Sequence, residues 1–273
     1  MKVAMATSPG HGRANEDFVG AAPGIAVLLD GAGIPGTEEI CRHGVAWYSH
    51  TLGATLLARL ARADGTDLVA ALVDSIEQVA GLHRLTCDIA NPSSPQSTVA
   101  MVRVEDGGAN YLVLADTFVV LDPSDAVPVV ISDPREVAVR GECAAALRGL
   151  PPGTSEYERA LTSAIDALRG RRNQPGGYWI AKEDPAAAAE AVTGSVHPQG
   201  LNGAALLSNG ASRIVDPYRL ADWPAVLELL RTSDPGQILR RIRDAESEAG
   251  AAGSLPGFQS SDDATVAYCH LTR

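Results

Sequence analysis

The distribution of apolar and polar positions predicts groups of strands and helices that follow one another along the chain. Short apolar runs bounded by glycine, proline and acidic residues are typical of buried strands. Such runs predict strands at 2–7, 24–29, 98–104, 111–115, 118–121, 127–131, 204–207 and 264–271. Apolar residues that return at helical spacing predict helices at 37–63, 67–83, 136–147, 156–169, 186–191, 222–231 and 235–249. The three strands between 98 and 121 are expected to be consecutive and antiparallel.

This order of elements favours an α+β sandwich over a strict alternation of strand and helix. Strands cluster into hairpins, and the helices between them come in pairs. A chain of 273 residues that is 45% apolar is long enough to bury a complete core. We therefore predict a single domain over residues 1–273.

Composition excludes several classes of function. A net charge of −11 disfavours a nucleic-acid or anionic-membrane surface, so neither partner is expected. The sequence has no apolar run of about 18 residues that would span a bilayer and no signal-peptide pattern, which predicts a cytoplasmic protein. The four cysteines lie far apart without a Cys-x-x-Cys spacing, which predicts reduced thiols. The oligomeric state stays open.

Acidic residues stand at the ends of apolar runs in four places, and a fifth place carries an amide. The residues at these run ends are Glu16 with Asp17, Asp30, Asp116, Asn209, and Asp262 with Asp263. Carboxylates at strand ends are the usual oxygen ligands for hard divalent cations. Taken singly, each position has an ordinary structural interpretation, such as a surface salt bridge near Arg13 or a capped turn after Asp30. Convergence at one end of a sheet would instead create a metal site.

Six segments in their order along the chain resemble the motifs of the metal-dependent type 2C protein phosphatase family (PPM), in particular its divergent bacterial branch. These segments are Arg13-Ala-Asn-Glu-Asp17, Asp30-Gly31-Ala-Gly33, Gln96-Ser97-Thr98, Ala115-Asp116-Thr117, Ser208-Asn209-Gly210 and Asp262-Asp263-Ala-Thr265. The resemblance covers most of the chain. It implies a sandwich of two antiparallel β-sheets flanked by pairs of helices.

The resemblance also implies a hydrolase with two manganese or magnesium ions and a weak third one. The implied metal ligands are Glu16, Asp30, Gly31 through its carbonyl, Asp116, Asn209 and Asp262. Asp30 would bridge the two main ions, and Asp116 would belong to the third site. Asp17 would orient metal-bound waters, and Arg13 would grip the phosphate. The implied reaction is in-line attack by a metal-bridging hydroxide on a phosphorylated protein or a small phosphoester.

Departures from the family pattern leave alternatives open. Asn209 stands where the family has Asp, so one anionic ligand is replaced by an amide. Ala115 replaces the usual Gly, and no clear match to the family's flap segment is present. The leading hypothesis is a serine/threonine protein phosphatase. The alternatives are a catalytically impaired protein with a binding or regulatory role, and the same fold repurposed as a biosynthetic enzyme for small molecules.

Two pairs of residues suggest a second kind of chemistry. Cys41 with His43, and His83 with Cys87, would form a Cys₂His₂ zinc set if their two helices meet. Either cysteine paired with a histidine would also be a candidate nucleophile. Ordinary helix-surface and core residues are the simpler interpretation.

Overall fold

Two antiparallel sheets form the centre of the molecule. The computed structural model describes residues 1–10, 12, 14–33, 37–105, 108–252 and 261–271. Within these residues the strands are β1 (Lys2–Ser8), β2 (Phe18–Ala22), β3 (Ile25–Ala32), β4 (Gln96–Glu105), β5 (Gly108–Leu114), β6 (Phe118–Pro123), β7 (Val129–Ile131), β8 (Val192–Val196), β9 (Leu201–Leu207) and β10 (Ala264–His270). The first sheet has the order β1-β10-β9-β6-β7, and the second has the order β2-β3-β4-β5-β8.

Helices cover the outer faces of both sheets. In the described part of the chain they are α1 (Thr37–Ile40), α2 (Gly44–Leu60), α3 (Leu68–His83), α4 (Arg135–Cys143), α5 (Ser155–Gly170), α6 (Asn209–Ser212), α7 (Trp223–Thr232) and α8 (Gly236–Ala252), with 3₁₀ turns at Ala144–Leu147 and Pro185–Glu190. The pair α2 and α3 packs on the second sheet. The pair α7 and α8 packs on the first sheet.

Three apolar layers hold these elements together. The layer between the two sheets includes Leu28, Val113 and Leu206, each fully buried. The other two layers lie between each sheet and its helix pair. This arrangement confirms the predicted α+β sandwich of two antiparallel sheets flanked by pairs of helices. The single domain over residues 1–273 stays a prediction.

Most predicted elements are present, but two strands escaped the sequence analysis. Every residue of β2 is only partly buried, and β8 alternates between partly buried and exposed positions without a strongly apolar run. Both strands lie at the edges of the second sheet. An edge strand has one paired side only, so its sequence needs less apolar character.

The predicted helix at 37–63 is wrong because the structure divides it in two. The short α1 ends at Ile40, and α2 begins at Gly44 after the segment Cys41–His43. Gly44 has a φ of 77°, a value that a right-handed helix does not accommodate. The apolar periodicity continues across the break, so the pattern alone did not reveal it.

The prediction of three consecutive paired strands between 98 and 121 is also wrong. β4 and β5 are antiparallel neighbours, but β6 crosses to the other sheet and pairs with β7 and β9. Ala115, in the connection, has a φ of 66°, in the region that favours glycine. It is the residue that replaces the family's usual Gly. Asp116 therefore lies in the connection that leads from one sheet to the other.

The remaining global predictions concern membranes and thiols. None of the helices in the described part of the chain combines the length and the apolar character that a bilayer crossing requires. The four cysteines, all within the described residues, are free thiols, with Cys41 and Cys269 buried.

Candidate metal centre

The acidic residues singled out by the sequence converge where the ends of several strands meet. Asp30 lies in the last part of β3, Asp116 follows β5, and Asp262 precedes β10. Charge repulsion from Asp17, Asp262 and Asp116 acts on Asp30, so these four carboxylates share one region. Asn209 follows β9 and reaches the same region. The structure thus brings together residues that are up to 245 positions apart, since Asp17 and Asp262 are the outermost pair.

Asp30 is held in place by its neighbours on β4 and at the start of α6. The Asp30 amide donates to Oγ1 of Thr98 at 3.3 Å, and the Ser97 hydroxyl donates to the Asp30 carbonyl at 2.9 Å. The backbone N–H of Asn209 donates to Oδ2 of Asp30 at 3.2 Å. Burial, followed by repulsion from the other carboxylates, raises the pKa of Asp30 well above its ordinary value. A cation would relieve this repulsion.

Asp17 is a buried carboxylate without a hydrogen-bond partner of good geometry. It is 3% exposed, and neither of its carboxylate oxygens is paired. Burial first, then repulsion from Asp263 and Asp262, raises its pKa to about 7, although the nearby hydroxyls of Thr265 and Ser208 lower it in part. An unpaired buried carboxylate is costly. A cation with bound water among these acids would stabilise the ionised Asp17 carboxylate.

The two aspartates before β10 have different environments. Oδ2 of Asp262 accepts from Nη2 of Arg213 at 2.8 Å. Asp263 accepts backbone amides instead: Gly10 donates to Oδ1 at 2.7 Å, and Glu16 donates to Oδ2 at 2.6 Å. Asp263 therefore ties the loop that carries Glu16 to the start of β10. This positioning role is not apparent from the sequence, because it depends on backbone groups remote along the chain.

Glu16 and Gly31 lie side by side, as a shared site requires. A Cβ at Gly31 would come within 2.5 Å of the Glu16 carbonyl oxygen, a separation that atoms do not reach, so this approach requires glycine. The Ser49 hydroxyl on α2 donates to the same carbonyl at 2.5 Å. The ligand roles predicted for Glu16 and Gly31 stay predictions. Arg13, the predicted phosphate contact, lies outside the described residues.

Asn209 bridges two of the acids. Its backbone N–H donates a hydrogen bond to Asp30. Its side-chain Nδ2 donates to Oδ2 of Asp116 at 2.7 Å. Arg140 on α4 also donates to that oxygen, at 3.2 Å, and contacts Glu136 at 2.8 Å. The substituted amide thus acts as a donor toward Asp116, a role that the family's carboxylate would not have.

Glu136 is a further acid near the centre that the sequence analysis missed. Burial first, then repulsion from Asp116, raises its pKa to about 7, while Arg140 opposes this shift. The helical spacing of Glu136 and Arg140 was visible in the sequence. A pair at positions i and i+4 is, however, common on any exposed helix. Only the packing of α4 beside Asp116 brings Glu136 to the site.

The donor set fits a hard divalent cation. Carboxylate oxygens dominate, one of the carboxylates is buried and unpaired, and burial followed by repulsion from nearby acids raises the pKa of Asp17 and Asp30. Oxygen-rich sites of this kind suit Mg²⁺ and Mn²⁺. The two arginines compete with such ions, because Arg213 contacts Asp262 and Arg140 contacts Asp116.

A second cluster lies outside this centre. Cys41, His43, His83 and Cys87 each offer one ligand atom, and these four atoms all lie within 4.8 Å of one another. The segment before α2 and the end of α3, which carry these residues, do meet, as the zinc hypothesis required. The cluster contains sulfur and nitrogen donors only, so its chemistry differs from that of the carboxylates.

Comparison with known proteins identifies the fold. No protein-family profile matches the chain, and no curated protein matches it in sequence. Solved structures match over nearly its whole length. The serine/threonine phosphatase PstP/Ppp of Mycobacterium tuberculosis has a TM-score of 0.59 at 17% identity, covering 100% of this chain and 99% of that chain. The PPM Ser-Thr phosphatase MsPP of Mycobacterium smegmatis, in complex with cacodylate, has a TM-score of 0.56 at 20% identity with the same coverage.

A third match has a different described role. PppA, a key regulatory component of T6SS in Pseudomonas aeruginosa, has a TM-score of 0.59 at 19% identity, covering 98% of this chain and 96% of that chain. The resemblance inferred from the motifs is therefore confirmed for the fold: the chain has the fold of PPM serine/threonine phosphatases.

Proposed function

We propose that this protein is a metal-dependent phosphoester hydrolase, and most specifically a serine/threonine protein phosphatase. The observation that carries the proposal is the convergence of Asp17, Asp30, Asp116 and Asp262, in the fold shared with bacterial serine/threonine phosphatases. Composition supports a soluble substrate over a nucleic acid or an anionic membrane, since the net charge is −11.

The residues of the chain would divide the work as follows. Asp30, Asp262, Glu16 and the Gly31 carbonyl would hold two manganese or magnesium ions, with Asp116 at a weaker third position. Bound there, the ions would supply Lewis acidity and make water a better nucleophile near neutral pH. The unpartnered oxygens of Asp17 would accept hydrogen bonds from water and orient it.

Two further residues prepare the site for this reaction. Asp263 fixes the Glu16 loop through the Gly10 and Glu16 amides, so that the carboxylates are placed before a cation arrives. Arg13 would contact the phosphoryl oxygens, because its planar guanidinium matches their geometry. Phosphoserine or phosphothreonine in a protein is the proposed substrate, with a small phosphoester as the nearest alternative.

Asn209 favours a second candidate function, a catalytically impaired protein that binds or regulates a partner. Its Nδ2 donates to Asp116, so the amide nitrogen faces an oxygen that a metal would otherwise use. Arg140 and Arg213 neutralise part of the remaining negative charge. A described regulatory role for one protein of this fold, PppA, is compatible with this candidate.

Metal titration and hydrolysis assays separate the two candidates. The purified chain would be titrated with Mn²⁺ and Mg²⁺ by calorimetry and assayed on p-nitrophenyl phosphate and on a phosphothreonine peptide. The test variant is Asp30→Asn, and the control is Asp125→Asn, which alters an exposed carboxylate of the turn after β6. The phosphatase proposal expects metal-dependent turnover that is lost in Asp30→Asn and retained in Asp125→Asn.

Other outcomes contradict the proposal in distinct ways. Absence of Mn²⁺ and Mg²⁺ binding in both the unmodified chain and Asn209→Asp would exclude the two-metal centre. Turnover that appears only in Asn209→Asp would favour the impaired regulatory protein. Metal binding without turnover on either substrate would favour a fold repurposed for another small-molecule reaction.

A further inference from the structure

The Cys/His cluster joins two segments that flank the carboxylate centre. Cys41 and His43 lie in the break between α1 and α2, and His83 and Cys87 lie at and just beyond the end of α3. Sγ of Cys41 is 3.7 Å from Nδ1 of His43 and 3.5 Å from Nδ1 of His83. Sγ of Cys87 is 3.4 Å from Nδ1 of His43.

These separations match the edges of a tetrahedron around a metal ion. Zn–S bonds of about 2.3 Å and Zn–N bonds of about 2.0–2.1 Å place sulfur and nitrogen about 3.5 Å apart in tetrahedral geometry. The three observed distances lie between 3.4 and 3.7 Å. The fourfold set of ligand atoms, all within 4.8 Å, is therefore compact enough for a single ion.

Hydrogen bonds alone satisfy this cluster poorly. Nδ1 of His43 lies near both sulfur atoms, and Sγ of Cys41 lies near both imidazole nitrogens. A neutral imidazole nitrogen either donates one hydrogen or accepts at one lone pair, so it serves one thiol well and not two. A central cation with two thiolates and two neutral imidazoles would pair all four groups at once.

We propose that Cys41, His43, His83 and Cys87 bind one structural Zn²⁺ ion. Two sulfur and two nitrogen donors are a preferred set for zinc and a poor one for Mg²⁺ or Mn²⁺. Four protein ligands leave no open position for water or substrate, which is typical of structural zinc sites. The proposal does not depend on the phosphatase activity proposed above.

The surroundings of the cluster suit a metal–thiolate site. The backbone amides of His43 and Gly44 interact with the Cys41 sulfur, and the Arg42 amide interacts with the Cys87 sulfur. Such amide groups stabilise thiolate ligands and fix their orientation.

Aromatic rings and burial limit access to the proposed ion. Trp47 stacks on the His43 ring with a centroid separation of 4.4 Å and meets the His83 ring edge-on at 5.1 Å. Cys41 and His83 are buried, whereas His43 and Cys87 are partly exposed. A shell of this kind restricts water around bound zinc and leaves a path for its entry.

The proposed ion would strengthen two contacts that already link α1 to the segment between α3 and β4. The Asp88 amide donates to the Ile40 carbonyl at 3.3 Å, and the Thr37 hydroxyl donates to the Ser93 carbonyl at 3.2 Å. Along the chain, α1 follows β3, which carries Asp30, and the segment after α3 leads into β4, whose Ser97 hydroxyl donates to the Asp30 carbonyl. Zinc would thus stabilise the segments that adjoin β3 and β4 near Asp30, without being bound by the carboxylates themselves.

Metal analysis of the full chain tests the proposal. The protein would be purified without chelators, and its zinc content would be measured by mass spectrometry in the unmodified chain, Cys87→Ser and His43→Gln. Matched controls are Cys143→Ser and His197→Gln, which alter a cysteine and a histidine outside the cluster. We expect about one zinc per chain in the unmodified protein and in the controls, and loss of most of that zinc in both test variants.

A second measurement does not require the variants to fold. Replacement of zinc by Co²⁺ in the unmodified chain should give the intense visible bands of tetrahedral cobalt and a thiolate charge-transfer band in the near ultraviolet. Four reactive thiols are expected after denaturation without reductant, matching the four free cysteines. Circular dichroism of each variant would show whether any zinc loss accompanies unfolding.

Three results would overturn the proposal. Zinc-free protein that also gives no tetrahedral Co²⁺ spectrum would exclude the site. Zinc that is lost in Asp30→Asn but retained in Cys87→Ser would place the ion at the carboxylates instead. Only two reactive thiols in the denatured chain would indicate a Cys41–Cys87 disulfide, formed by an external oxidant, in place of a metal site.

Discussion

At the scale of single residues, the carboxylate centre contains side chains that oppose folding and others that support it. Asp17 is buried without a hydrogen-bond partner of good geometry, whereas both oxygens of the nearby Asp263 accept backbone amides. The same residue type therefore has opposite energetic consequences at two neighbouring positions. Substitution by asparagine, which removes the charge and keeps the shape, distinguishes them.

We expect Asp17→Asn to stabilise the protein in the absence of added divalent cations. The pKa of Asp17 is raised to about 7 by burial and by nearby acids, so its ionised form at pH 8 costs stability. Removing that charge should raise the free energy of unfolding by about 1–2 kcal/mol. Denaturant unfolding at pH 8 would measure the change, and loss of metal-dependent turnover should accompany it.

Asp263→Asn should have the opposite effect. An amide nitrogen cannot accept the Gly10 or Glu16 N–H, so one buried donor would lose its partner. The expected loss is about 1–3 kcal/mol, measured by the same unfolding experiment. Equal effects of the two substitutions would contradict the different roles assigned to Asp17 and Asp263.

Asn209→Asp tests the position of the site where an amide stands in place of a carboxylate. A carboxylate there would lose the hydrogen bond that Nδ2 donates to Asp116 and would add repulsion, so the melting temperature without added cations should fall by a few degrees. Affinity for Mn²⁺ should rise about tenfold, because an anionic ligand is restored. Calorimetric titration and thermal unfolding with and without Mn²⁺ would measure both effects.

A matched control for this substitution is available on β9, the strand that precedes Asn209. Asn202 lies near the start of β9, at the end opposite Asn209. Asn202→Asp should leave Mn²⁺ affinity unchanged. If both variants behave alike, the effect reflects net charge and not the site.

At the scale of elements, helix packing outweighs helix propensity at one glycine and not at another. Gly53 on α2 faces β2, and a Cβ there would lie 2.2 Å from Cδ1 of Phe18. Gly81 on α3 is exposed, and a Cβ there would meet no atom within 4 Å. Alanine is the better helix former at both positions, so the difference between them isolates packing.

We expect Gly81→Ala to raise the free energy of unfolding by about 0.5–1 kcal/mol. Gly53→Ala should lower it by about 1–3 kcal/mol, because the added methyl group displaces the Phe18 ring. Each kcal/mol corresponds to roughly 2–4 °C in melting temperature for a protein of this size. Thermal unfolding would measure the change in melting temperature of both variants. Stabilisation by Gly53→Ala would contradict the close packing of α2 on β2.

At the scale of the whole molecule, the clustered acids should set the pH dependence of stability. The pKa values of Asp17 and Glu136 are raised to about 7, and that of Asp30 is raised well above its ordinary value, in each case first by burial and then by nearby acids. The unfolded chain titrates these groups near their ordinary values of about 4. Between these limits the folded state binds more protons than the unfolded state, so stability falls as pH rises.

We therefore expect the melting temperature to decrease from about pH 5 to about pH 7 when no divalent cation is added. Saturating Mg²⁺ or Mn²⁺ should reduce this dependence, because bound cations replace protons in neutralising the carboxylates. Thermal unfolding across this range, with and without Mg²⁺, would test the expectation. A melting temperature that rises with pH in the absence of cations would contradict it.

Much of the secondary structure was predictable because its causes are local. Asp67 caps α3 by accepting the Ala70 amide at 2.7 Å, and Asp222 caps α7 in the same way. Apolar periodicity marked the buried faces of both helices. Locality also explains the errors: the break at Gly44 and the crossing at Ala115 depend on backbone conformations that apolar spacing does not encode.

By itself, the sequence determined the succession of strands and helices and the order of acidic motifs, since both depend on residues that are close together along the chain. Only the tertiary structure decided which side chains meet. Asp17, Asp30, Asp116 and Asp262 converge because strand ends from two sheets come together. The same packing brings Asp263 close to Asp17 and Glu136 close to Asp116. The Cys₂His₂ cluster likewise exists only because α2 packs against α3. Contacts between remote segments are products of packing, and spacing along a chain does not specify them.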